Sequence, residues 1–146
     1  MLHRYRDVFA SLHSNNCRYI VLGGVAAEVY GVPSMTFFID ILIDASEANA
    51  EKLLSALHEA GYFTARLLTA KGLLANEITI FTERARVHVQ TSTPGLVFEE
   101  AWRQRRTIVF EDVPIDIVSA DDFIKSKPEE GRRVDLADLE RLRLKK

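Results

Sequence analysis

Two adjacent glycines and one carboxylate are the residues of this chain best suited to chemistry. Gly23 and Gly24 end the apolar run Tyr19 to Leu22, and Asp40 alone interrupts a second apolar run, Phe37 to Ile43. Glycines at a strand end take φ > 0 and let the backbone approach a ligand with no Cβ in the way. A helix that starts at such a turn points free N–H groups and the positive end of its dipole at an anion, so phosphate is the ligand class these residues suit. Asp40 lies among side chains that favour burial, so its charge requires either a metal ion or internal hydrogen-bond donors. Cys17 lacks the activating neighbour that a reactive thiol needs and reads as a small core residue.

The elements that position these residues follow from periodicity. Residues 19 to 44 read as strand, Gly-Gly turn, short helix over Val25 to Tyr30, loop and second strand, with Gly31 and Pro33 ending the helix. Before this unit, Tyr5, Val8, Phe9 and Leu12 recur at helical spacing from about Arg4 to His13. After it, Ser46 caps a packing helix over Ala48 to Ala60 that Gly61 closes. Tyr62 to Leu67 reads as a strand, whereas Leu68 to Asn76 is mixed, with Gly72 weakening any helix there. Ile78 to Phe81 and Val87 to Thr91 form a hairpin across a polar loop. A helix from Leu96 to Arg105 precedes a second antiparallel pair, Thr107 to Phe110 and Pro114 to Val118. Ser119 then caps another helix with Asp121 and Asp122 in its first turn. Leucines at 136, 139, 142 and 144 predict a closing helix.

Composition narrows the function classes. The 146 residues, 47% hydrophobic and 27% charged, predict one globular domain spanning 1–146. A net charge of -2 gives no global case for nucleic acid. One cysteine excludes an internal disulfide and a multi-cysteine metal site. No apolar run is long enough for a membrane span, and His3, Arg4 and Arg6 follow Met1 without an apolar signal core, which predicts a cytoplasmic protein with no membrane partner.

The register Gly23-Gly24, Ala26, Gly31-Val32-Pro33, Thr36, Ile39-Asp40 resembles the signature of the DNA polymerase beta-like nucleotidyltransferase superfamily, in particular its small abortive-infection-type and minimal members. A second stretch, Ser119 to Lys127, Gly131-Arg132 and Asp135 to Leu142, is similar to the closing pattern of that family. The resemblance implies an α+β (α/β) nucleotidyltransferase-like fold, a central mixed β-sheet flanked by helices. It implies that Gly23, Gly24, Thr36 and Lys127 meet nucleotide phosphates, and that Arg132 and Asp135 brace the last helices. The departures are equally specific. Phe38 stands where the family has its first metal-binding Asp, and Ser34 where it often has Arg. His88 stands where a later strand carries the third carboxylate, with Gln90 a neighbouring candidate on the other face.

The resemblance thus implies that Asp40 is the remnant of a catalytic set, with Ser34, Phe38 and His88 lining the same pocket. The family's chemistry uses two divalent ions held by carboxylates. Lacking those partners, Asp40 reads as an acid satisfied by nearby backbone N–H groups or by Thr36, and no metal ligand set is assigned. The implied function is a catalytically impaired relative, a pseudoenzyme, that binds a nucleotide or phosphate. One alternative is an active enzyme that needs magnesium and moves NMP from NTP to RNA, protein or a small acceptor. Another is an interaction module, a toxin-antitoxin-like partner or a homodimer. Simpler readings hold for other residues: His88 as a half-buried strand histidine, Trp102 as a core anchor, and Arg103, Arg105 and Arg106 as a solvated helix end.

Overall fold

The computed structural model describes residues 2–34 and 37–126. Six strands form one mixed sheet in the order β3-β4-β2-β1-β6-β5. These are β1 (Tyr19–Leu22), β2 (Phe38–Ile43), β3 (Ile78–Phe81), β4 (Arg86–Gln90), β5 (Arg106–Phe110) and β6 (Val113–Ile117). β1 runs antiparallel to β2 and parallel to β6, β2 runs parallel to β4, and the hairpin partners β3 and β5 close the two edges antiparallel. The helices are α1 (Arg6–Ser14), α2 (Gly23–Val29), α3 (Glu47–Glu59), α4 (Ala70–Leu74), α5 (Phe98–Gln104) and α6 (Ala120–Lys125). This is the α+β arrangement, a mixed sheet flanked by helices, that the sequence predicts.

Alternation along each strand separates two faces. Ile39, Ile41, Ile43, Val87, Val89, Ile115 and Ile117 point to one side and are fully buried, with α1 packed against β6 and α3 packed on α1. Tyr5, Phe9 and Leu12 of the N-terminal segment and Leu53 and Leu57 of α3 complete this core. The other face carries Phe38, Asp40, His88 and Gln90.

Side chains anchor the layers to the backbone. Ser46 caps α3 by accepting from the Asn49 N–H, as expected from sequence. Asn49 is buried, accepts from the Arg18 N–H at 2.8 Å and donates to the carbonyls of Arg18 at 3.0 Å and Asp44 at 2.9 Å, tying α3 to the start of β1 and the end of β2. Two phenols hold the entrance to β4: Tyr5 donates to the Arg86 carbonyl at 2.7 Å, and Tyr62 donates to the Ala85 carbonyl.

Two local readings are corrected. Tyr62 to Leu67 is not a strand; Phe63–Leu67 is a 3-10 helix. The buried positions are Tyr62 and Ala65, with Leu68 half-buried, a period of three, while Phe63 and Leu67 are 66% and 82% exposed. Apolar residues facing water supplied the false strand signal. The mixed stretch after it forms α4, because the Thr69 hydroxyl caps it by accepting from the Gly72 N–H at 3.0 Å. Within the described residues no helix is long and apolar enough to cross a membrane. The closing helix predicted over the last leucines lies outside the described residues, as do Thr36, Lys127, Arg132 and Asp135.

Candidate functional site

Strand register assembles the site. β2 and β4 pair in parallel with Phe38 opposite Arg86, Asp40 opposite His88 and Leu42 opposite Gln90, so these side chains share one face. On the other flank Asp40 lies opposite Leu22, the last residue of β1 before the glycine turn. β1 passes directly into α2, so the two glycines expected as a turn before a helix from Val25 are the first two residues of the helix itself, and this brings Gly23 to the carboxylate.

Asp40 is partnered on several sides. Its Oδ1 lies 3.4 Å from His88 Nδ1 and accepts a hydrogen bond from Gln90 Nε2 at 3.5 Å. The Gln90 amide is itself oriented by Thr93, whose hydroxyl donates to Gln90 Oε1 at 2.6 Å. The Asp40 side chain is 17% exposed and that of His88 is 14% exposed. Gly23 takes φ +64°, and a Cβ added there would stand 2.4 Å from Asp40 Oδ2. The carboxylate therefore packs against the first residue of α2, where the helix dipole favours negative charge. It sits beside the turn that the sequence offers to a phosphate. Gly23 takes a positive φ and Gly24 does not.

Aromatic contacts fill the space next to the acid. The Phe38 ring stacks on the His88 imidazole with centroids 4.0 Å apart and planes 7° from parallel. The Arg86 guanidinium lies over the Phe38 ring, 5.5 Å from its centroid. His88 Nδ1 faces the carboxylate, and Nε2 is buried with no hydrogen-bond partner. Burial lowers the His88 pKa, Asp40 opposes the shift and Arg86 reinforces it. Nδ1 is the ring nitrogen that faces Asp40, so the neutral tautomer that satisfies the carboxylate is the one protonated there.

A pH dependence follows. An unfolded histidine titrates near pH ~6.5. With the folded value below that, the stabilising contribution is fully present above about pH 6.5 and is lost as pH falls through the lowered folded value. In urea titrations, the midpoint should drop between pH 7.5 and 5.5 more in the parent than in His88→Gln, which keeps a donor for Asp40 but does not titrate. Equal drops in the two proteins would show that His88 does not carry the linkage.

The residues present do not fit the two-metal centre that the resemblance implies. Among the described residues no three His, Cys, Asp or Glu side chains group as a metal site. A phenyl ring cannot ligate, and the only imidazole nitrogen not directed at Asp40 is buried. Phe38, Asp40 and His88 are brought together, Gly23 joins them directly, and Ser34 is half-buried in the loop between α2 and β2. Gln90 lies on the His88 face, not the other one, because residues two apart on a strand point the same way. Arg86 and Thr93 complete the site without having been singled out in the sequence. For Arg86 the signal was available, since it precedes His88 by one strand period.

No protein-family model matches the chain, and no curated protein matches it in sequence. Among solved structures it is similar to a Thermotoga maritima protein, TM1012, provisionally identified as a nucleotidyltransferase. That similarity covers 99% of this chain and 93% of the other, with a TM-score of 0.59 and 14% sequence identity. At that identity the likeness establishes a nucleotidyltransferase-like fold and does not extend to activity.

Proposed function

We propose that this protein is a catalytically silenced relative within the nucleotidyltransferase-like fold, whose cleft takes a nucleotide or phosphate group without a divalent ion. The Phe38–His88 stack beside Asp40 is the observation that carries this reading. Two-metal phosphoryl chemistry needs hard oxygen ligands on both sides of a shared carboxylate, and here those sides are a hydrocarbon ring and a neutral imidazole. Asp40, already partnered by His88 and Gln90, serves as an internal acceptor packed against Gly23. Phosphate binding on this reading uses the N–H groups at the start of α2, with Arg86 and, by resemblance, Lys127 supplying positive charge.

Calorimetry with ATP in the presence and absence of magnesium tests the proposal. Binding should occur, with an affinity that differs less than about threefold between the two conditions, a difference of under about 1 kcal/mol. Magnesium-dependent transfer of labelled nucleotide that disappears in Asp40→Ala would instead establish an active enzyme. An absence of ATP binding in both conditions would reject a nucleotide site.

A further inference from the structure

The sheet edge farthest from this cleft carries an independent feature. β5 is the last strand, and among the described residues nothing pairs with its outer side. It is joined to β6 by the two-residue turn Glu111-Asp112, in which both residues have φ > 0, at 48° and 65°. In this hairpin geometry the residues flanking the turn, Phe110 and Val113, exchange their hydrogen bonds. The backbone groups of Phe110, Ile108 and Arg106 therefore face β6. Those of Thr107 and Val109 face outward.

Protected edges are usually blunted by proline, a bulge or a central lysine, and β5 has none of these. Val109, one residue past its centre, is 71% exposed. The strand is also charge-polarised, with Arg105 and Arg106 at its start and Glu111 and Asp112 just past its end. Running two such strands antiparallel sets basic ends against acidic ends. The opposite edge lacks this property, since Glu77 and Glu83 flank β3 and a second copy there would bring acids near acids.

We propose that β5 pairs antiparallel with β5 of a second copy of this chain about a two-fold axis at Ile108, joining the two sheets into one. In that register Thr107 of each copy lies opposite Val109 of the other, so the outward N–H and C=O groups of both residues satisfy each other. Arg105 lies opposite Glu111, with Arg106 beside it. Glu111 already contacts Arg6 and His3, and Arg105 contacts Asp116, so the cross-axis charges select the register at longer range. The pairing is small and falls in the class of weak, transient interfaces. β1 and β6 separate it from the Asp40 site, which lies on strands the pairing does not touch.

Sedimentation equilibrium of the full chain tests this directly. A monomer–dimer equilibrium is expected, weakening at high salt. Val109→Pro removes an outward N–H without touching a bond to β6 and should abolish the dimer; if that variant fails to fold by circular dichroism, Val109→Lys takes its place. Ile108→Cys places two thiols across the axis at a non-hydrogen-bonded pair, with Cα atoms about 4.5 Å apart, within disulfide reach. Mild oxidation should cross-link this variant, and adding the Val109 substitution should lower the yield at least tenfold. A chain that stays monomeric at every concentration overturns the proposal, whether its Thr107 and Val109 amides exchange freely or are protected by another segment. So does a dimer that survives the Val109 substitution.

Discussion

Phe38→Asp combined with His88→Asp is expected to create a magnesium site that the parent is expected to lack. Both positions share a face with Asp40, one a strand period away on β2 and the other directly across on β4. Replacing ring and imidazole by carboxylates would set three acids around one point, the donor set a hard divalent ion requires. Without metal the double variant should lose about 2–4 kcal/mol, because it gives up an aromatic stack and crowds like charges. With a dissociation constant on the order of a millimolar, 10 mM magnesium should restore about 1.4 kcal/mol. Thermal unfolding with magnesium against sodium at matched ionic strength reads this out. The parent should not respond. A double variant equally indifferent to magnesium would show that positions 38 and 88 do not converge on Asp40.

The second large effect concerns Gly23. Alanine there meets two obstacles, a left-handed backbone at φ +64° and a Cβ position 2.4 Å from Asp40 Oδ2. The first costs about 1–2 kcal/mol. The second forces Asp40 away from its donors, raising the total to about 2–5 kcal/mol. In an Asp40→Ala background only the backbone part should remain, so a double-mutant cycle should give a coupling of about 1–3 kcal/mol. If Gly23→Ala costs the same in both backgrounds, the carboxylate does not press on the turn. Gly61 offers a contrast. Its φ is +100°, but the nearest atom to an added Cβ is Cδ of the flexible Arg84 side chain at 2.8 Å, which can swing aside. Strain at Gly61 would therefore come mainly from the backbone.

Much of the frame was legible because it rests on local rules. The apolar run stopping at Gly23, the Ser46 cap, the alternation of β4 and the two hairpins each follow from a few neighbouring residues. The placement of Phe38 and His88 around Asp40 is a different kind of inference. It required the parallel pairing of β2 with β4, and pattern similarity supplied that where periodicity could not. The failures were also physical. Phe63 and Leu67 look like strand residues by type, yet the chain spends them on solvent and buries Tyr62 and Ala65 instead. The Asn49 bridge and the Thr93–Gln90–Asp40 relay depend on residues far apart in sequence, and their polar side chains carry no local signature of burial. The charge polarity of β5 was visible in the letters, but its meaning depends on β5 being an edge.

The phenols of Tyr5 and Tyr62 grip consecutive carbonyls just where β4 begins. A slip of that strand by one residue against β2 would exchange its sides, carrying Arg86, His88 and Gln90 into the hydrocarbon layer and turning Val87 and Val89 out to water. The two hydroxyls act as a stop against that slip. Through them, the helical layer on one side of the sheet decides which chemistry the other side displays.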